Sequence, residues 1–170
     1  MFQQVIRRLG EDFNAVTVKE VLTLLACSRR GLSERELLDL LEGEEVRVGD
    51  SAGDLFPVLR QLRPYLQSRG PLLDFHHRHL AKATREEFFE GGHTLRRDTH
   101  RRLADYFTGR ARGGDSWHEW ETDNARGFAE CVFHLTKAGQ HDQAAKLLTG
   151  FPFLLHKLRV GLLEGVFEDY

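Results

Sequence analysis

The densest group of chemically able side chains lies in residues 72–88, LLDFHHRHLAKATREEF, where His76, His77 and His79 fall within four positions behind an apolar run. An imidazole can ligate a metal, move a proton near neutral pH, or donate to an anionic oxygen. His76 and His79 are three apart and could share a helix face, whereas His77 and His79 point to different sides. A third metal ligand could come from His93 or His100. No Cys pair or second His motif completes a tetrahedral set at a familiar spacing, which argues against a metal centre. Catalysis finds no support either. The chain lacks G-x-x-x-x-G-K-[ST], a G-x-G-x-x-G between strand and helix, and a nucleophile elbow. Neither Cys27 nor Cys131 sits in an electropositive turn. No catalytic residue and no metal ligand is assigned. The histidines are left as core or capping residues, or as a contact to something the chain does not itself contain.

The elements that must position them can be read from periodicity. TVKEVLTLLACS places Val18, Val21, Leu22 and Leu25 on one helical face, predicting a helix over 17–28, with Gly31 as its stop. SERELLDLLEG opens with Ser33 and has Glu36 three residues on, a capping-box pattern that predicts a helix over 33–42 with Leu37, Leu38, Leu40 and Leu41 on its buried side. Residues 44–53 read as a polar loop. DLFPVLRQLRPYL predicts a third helix over 54–63, with Leu55, Val58, Leu59 and Leu62 inward, Pro57 in its first turn and Pro64 at its end. PYLQSRGPLLDF then reads as two short strands around a turn at Ser68–Gly70. Three short helices and a small hairpin follow the plan of a winged helix.

From Arg78 on the pattern is helical. RHLAKATREEFF is one helix and TLRRDTHRRLADYFTG another, carrying Leu103, Tyr106 and Phe107. After a Gly-rich break at RARGGDSW, ETDNARGFAECVFHLTKAG presents Phe128, Val132 and Leu135 and stops at Gly139. HDQAAKLLTG and a last apolar helix interrupted by glycines complete the chain. These read as an α-helical hairpin domain. The expected class is therefore mainly α, with residues 1–15 a linker helix, 16–90 a winged-helix domain and 91–170 a helical domain.

Composition narrows the partners. The 170 residues are 41% hydrophobic and 29% charged, with a net charge of −2, as in an ordinary globular protein with no global pull toward nucleic acid or anionic membrane. No run approaches the ~18 apolar residues of a membrane span. MFQQVIRRLGEDF is amphipathic and lacks a signal-peptide core. Two cysteines inside apolar helical patterns read as buried free thiols in a reducing compartment, so the expected location is the cytoplasm. A DNA-reading third helix would offer only Arg60, Gln61 and Arg63. The neighbouring surface carries Glu34, Glu36, Asp39, Glu42, Glu44 and Glu45 against Arg35 alone and would repel phosphates. The six arginines of residues 95–112 (Arg96, Arg97, Arg101, Arg102, Arg110 and Arg112) read as a solvated helix face. No nucleic-acid partner and no membrane partner is expected.

In order, RLGEDF, VLTLLACSRRGLSERELLDLL, LRQLRPYL, DFHHRHLAKAT and HRRLADYF resemble the region just after the nucleotide-binding core in STAND signalling ATPases of the NACHT and apoptotic-ATPase type, especially those with C-terminal WD or other repeats. The resemblance covers residues 2–107, and AECVFHLTKAGQHDQAAKLL resembles the helical segment before the family's sensor repeats. Each motif alone is loose, and their order is the specific part.

The resemblance implies a regulatory segment that governs the change from a closed, ADP-bound form to an open, active one. The family's phosphate loop and magnesium site would lie upstream and its repeats downstream, so the chain is expected to be a piece of a longer protein and to catalyse nothing by itself. ADP or ATP with magnesium would belong to that parent. Its intramolecular partners would be the nucleotide-binding domain and the sensor repeats, with an oligomer in the active state. In the family a histidine just after the wing strand, in the pattern F-x-H-x-x-[LF], contacts the β-phosphate of ADP. Phe75, His77 and Leu80 fit that pattern, so His77 is the implied nucleotide-phosphate sensor, while His76 and His79 inherit no role. A helical interaction scaffold, and less so a winged-helix DNA binder, remain the alternatives.

Overall fold

The computed structural model describes residues 2–43, 51–91, 93–112 and 124–169. The chain is mainly helical with one small antiparallel sheet, and it divides into two compact units, Met1–Arg96 and Arg97–Tyr170. Among the described residues no helix is long and apolar enough to cross a membrane.

The first unit runs α1 (Phe2–Asp12), α2 (Ala15–Cys27), β1 (Leu32–Ser33), α3 (Glu34–Glu42), α4 (Ser51–Leu62), a 3₁₀ turn (Arg63–Tyr65), β2 (Leu66–Arg69), β3 (Leu72–Phe75) and α5 (Arg78–Phe89). α2 is its centre. Asn14 caps it by accepting from the N–H groups of Val16 and Thr17 while its own amide donates to Asp54 at 3.0 Å. Val18, Val21, Leu22 and Leu25 are buried as their spacing requires, and Leu24 joins them, so the helix is covered on most sides. Ile6 and Leu9 of α1, Leu37 and Leu40 of α3, the Leu55, Val58, Leu59 and Leu62 stripe of α4, and Leu80 of α5 complete the core. Leu38 and Leu41 are only half-buried.

The capping box is formed. Ser33 Oγ accepts from the Glu36 N–H at 3.1 Å, and the Glu36 carboxylate accepts from the Ser33 N–H at 2.8 Å. α4 starts at Ser51, so residues 51–53 of the expected loop are helical, while residues 44–50 lie outside the described residues. Pro57 is consequently inside the helix rather than in its first turn. It is tolerated because it faces outward, and the residue four before it, whose carbonyl its ring crowds, is the exposed Gly53. The hairpin turn falls at Gly70–Pro71, with Ser68 and Arg69 still in β2 and Gly70 at φ 61°.

The sheet has three strands, in the order β1-β3-β2, where two were expected. β1 pairs with β3 through Leu32↔Leu73 and Ser33↔Leu72. α2 ends at Cys27, and Gly31 serves the entry to this strand rather than the helix stop. Its φ is +86°, and a Cβ there would lie 2.4 Å from the Leu73 carbonyl oxygen, so only glycine allows β1 to reach β3.

The second unit holds the main length of α6 (His93–Arg112), then α7 (Ala125–Lys137), α8 (His141–Thr149), α9 (Phe151–Arg159) and α10 (Leu163–Asp169). Of the expected Gly-rich break, residues 110–112 belong to α6 and residues 113–117 lie outside the described residues. Leu103, Phe107, Phe128, Val132 and Leu135 form its core with Phe153. α7 and α6 touch backbone to backbone at Gly127, where a Cβ would stand 2.8 Å from the Ala111 nitrogen. α7 stops at Gly139 as expected, by a left-handed turn (φ 75°) in which the Gln140 N–H donates to the Leu135 carbonyl. The last apolar segment is two helices, broken at Gly161 (φ 81°).

Candidate functional site

The histidine cluster sits where β3 hands over to α5. β3 alternates strictly, with Leu73 and Phe75 buried, so the pleat itself fixes which residues face the core. The strand pairing persists one step past Phe75, where the His76 N–H donates to the Tyr65 carbonyl at 2.9 Å. His77 then takes an extended conformation (φ −105°, ψ 118°) and is the N-cap of α5. Its carbonyl accepts from the N–H groups of Leu80 and Ala81, while its imidazole does not cap the helix. Leu80, the third residue of the F-x-H-x-x-[LF] pattern, is fully buried and anchors the first turn.

His76, His77, Arg78 and His79 are all exposed around this uncapped helix end. First-turn N–H groups and the helix dipole favour a negative group at such a place, and the basic side chains add to the attraction. The His77 imidazole makes no hydrogen bond among the described residues. It is held by ring contacts, edge-on to His76 with centroids 4.6 Å apart and tilted to Phe2 at 6.1 Å. A cleft of about 260 Å³, lined in part by Val5, Leu9 and Phe13 of α1, reaches Tyr65 near the same junction.

Of the other residues weighed as metal ligands, His93 opens α6 and is exposed. His100 is buried in the second unit with its Nδ1 3.0 Å from Nδ1 of His134. Among the described residues no three His, Cys, Asp or Glu side chains are arranged to hold a metal ion. Both thiols are buried, and desolvation pushes each up to about 12, against the smaller opposing pull of Arg96 and Arg85 on Cys27 and of Lys157 on Cys131. Neither is a nucleophile at neutral pH.

Sequence reasoning missed a buried polar line on α7. Arg126 Nη1 lies 2.9 Å from Glu130 Oε1, and the other carboxylate oxygen lies 3.5 Å from His134 Nε2. His134 is stacked on Phe107 (centroids 5.7 Å, 11°), and the Arg126 guanidinium lies over the same ring. The signal was present as the i, i+4, i+8 spacing of three ionisable residues on one helix face. A second buried pair, Lys157 with Asp169, ties α10 to α9, and no short-range spacing announces it.

No protein-family model and no solved structure matches the chain. Among curated proteins it is similar to the human NACHT domain- and WD repeat-containing protein 1, at 25% identity over an alignment of 210 positions. The alignment takes in 98% of this chain, and the chain spans only 13% of the length of that relative.

Proposed function

We propose that the chain is the regulatory winged-helix and helical segment of a STAND-type signalling NTPase, and that it controls passage from a closed, diphosphate-bound form to an open, active one. The observation that carries this reading is the similarity to a NACHT and WD repeat protein running through 98% of the chain. The element order of the first unit supports it. Helix, strand, helix, helix, strand, strand, with the short first strand pairing with the last, is the order of a winged helix.

In this reading His77 stands at an uncapped helix N-terminus and donates a hydrogen bond to a phosphate oxygen of ADP held by a preceding nucleotide-binding domain. The residues present suit that contact, with exposed donors, a favourable helix end and no competing partner for the imidazole among the described residues. A charge-assisted bond of this kind contributes about 1.5–3 kcal/mol. It biases the closed form only because the open form loses it. ADP or ATP with magnesium, the nucleotide-binding domain and the sensor repeats belong to the longer protein, which would work in the cytoplasm. The segment itself performs no catalysis.

The test is the native polypeptide. Detected with an antibody raised against this chain, it should run far above the mass of 170 residues and should carry ADP when isolated without trigger. A native product no longer than this chain, or one free of nucleotide, contradicts the proposal.

A helical interaction scaffold is the second reading. The exposed Phe151 of α9 and Leu163 and Phe167 of α10 favour it, since they leave apolar surface uncovered in the second unit.

A further inference from the structure

Phe2, half-buried at the start of α1, meets three rings. It is edge-on to Tyr65 (6.2 Å, 81°), tilted to His77 (6.1 Å, 40°) and stacked on His79 (6.3 Å, 10°). Tyr65 is in turn fixed to the histidine junction by the hydrogen bond from the His76 N–H. Ring faces and edges therefore orient His77, and among the described residues neither ring nitrogen is engaged, so the one that carries the proton can donate to an outside acceptor. A histidine oriented through a nitrogen would have one fewer donor to offer.

We propose that Phe2 is the positioning residue for His77, so that α1 and the β3–α5 junction respond as one element. This rests on the reading of His77 as the diphosphate contact. α1 packs on both α2 and α5, so its placement is set by the body of the unit. Any movement that draws α1 away withdraws Phe2 from His77 and His79 together. The imidazole then samples other rotamers and presents its donor to the phosphate for a smaller fraction of the time. α1 thereby becomes a means of weakening the closed form without touching the nucleotide.

The experiment has two arms. In the 170-residue chain, the ring signals of each histidine are followed by NMR for Phe2→Ala, Phe2→Tyr and Val5→Ala, with His93 and His141 as internal controls. Phe2→Ala should move the His77 and His79 signals and leave the controls in place. Phe2→Tyr, which keeps the ring, should restore them. Val5→Ala, on the same helix but without a ring contact to the histidines, should leave His77 unmoved. Unmoved His77 signals in Phe2→Ala, or an equal response to Val5→Ala, would overturn the proposal.

In the longer protein, Phe2→Ala should raise output without trigger in the same direction as His77→Ala. The expected rise is about 2- to 13-fold, the range of one aromatic pair. The double variant should exceed His77→Ala alone by nothing. If His77→Ala raises output and Phe2→Ala does not, the positioning role is wrong and the switch reading stands. If His77→Ala leaves output unchanged, the switch reading fails, and with it the regulatory role of Phe2.

Discussion

Arg126 and Glu130 meet at 2.9 Å one turn apart on α7, with the carboxylate 1% exposed, whereas Arg7 and Glu11 meet at the same spacing on α1 with side chains 82% and 65% exposed. The two pairs look alike in sequence and differ in solvent. Removing Arg126 leaves a buried carboxylate short of its cation, so Arg126→Ala should lower stability by about 3 kcal/mol. Arg7→Ala should cost under about 1 kcal/mol. Denaturant titration of the two variants checks this, and equal small losses would mean that water reaches Glu130.

Gly127 and Gly109 predict opposite signs for the same substitution. A Cβ on Gly127 would meet the Ala111 nitrogen at 2.8 Å and the Phe107 carbonyl oxygen at 2.9 Å, which are backbone atoms that cannot swing aside. Gly127→Ala should therefore destabilise the second unit by about 2 kcal/mol or more. Gly109 lies inside α6, and among the described residues nothing stands within 4 Å of its would-be Cβ. Gly109→Ala should stabilise by roughly 0.5–1 kcal/mol, because it removes backbone freedom from the unfolded chain. Thermal melts of the pair read both signs at once.

The thiols set an alkaline limit. Burial raises Cys27 and Cys131 from 9.0 to about 12, so the folded protein holds these protons more tightly than the unfolded chain does. Their contribution to stability is fully present below about pH 9 and is lost as pH rises toward 12. Each thiol removes about 1.4 kcal/mol per pH unit across that window. Cys27→Ala with Cys131→Ala should flatten the loss measured by denaturant titration between about pH 8 and about pH 10.5. A thiol reagent at neutral pH should label neither cysteine until the chain unfolds.

The isolated chain should bind no ATP. One exposed imidazole at a helix end cannot replace the backbone cradle and lysine of a phosphate loop. Calorimetric titration with ATP and magnesium checks this, and micromolar affinity would require a nucleotide site of a different kind within these residues.

Local signals carried much of the fold. Ser33 and Glu36 announced α3 because a capping box is a contact between neighbours, and Gly139 announced the end of α7 for the same reason. β1 was not legible: it is two residues long, and its partner Leu73 lies forty-one positions away. Pro57 misled because a proline reads as a helix start, while what decides is the outward face it occupies in α4. At the candidate site, the strand-to-helix handover around His77 was legible from Phe75 and Leu80. The contact of His77 with Phe2 was not, since nothing in either residue's neighbourhood encodes a meeting across seventy-five positions. On α7, the line of Arg126, Glu130 and His134 was readable in principle, but spacing alone does not tell a buried face from a wet one.

The most direct test of the switch is His77→Ala in the longer protein, with output measured in the absence of trigger alongside thermal stability. A contact of about 1.5–3 kcal/mol present only in the closed form predicts a shift of roughly 10- to 150-fold toward the active state at nearly unchanged melting temperature. Leu80 is fully buried, so Leu80→Ala should instead lower stability by about 2–5 kcal/mol. His76→Ala removes an edge-on ring contact to His77 and should raise output less than His77→Ala does, while His79→Ala should do little to output. An unchanged output for His77→Ala, or unfolding as severe as that of Leu80→Ala, would contradict the role of His77 as the phosphate contact.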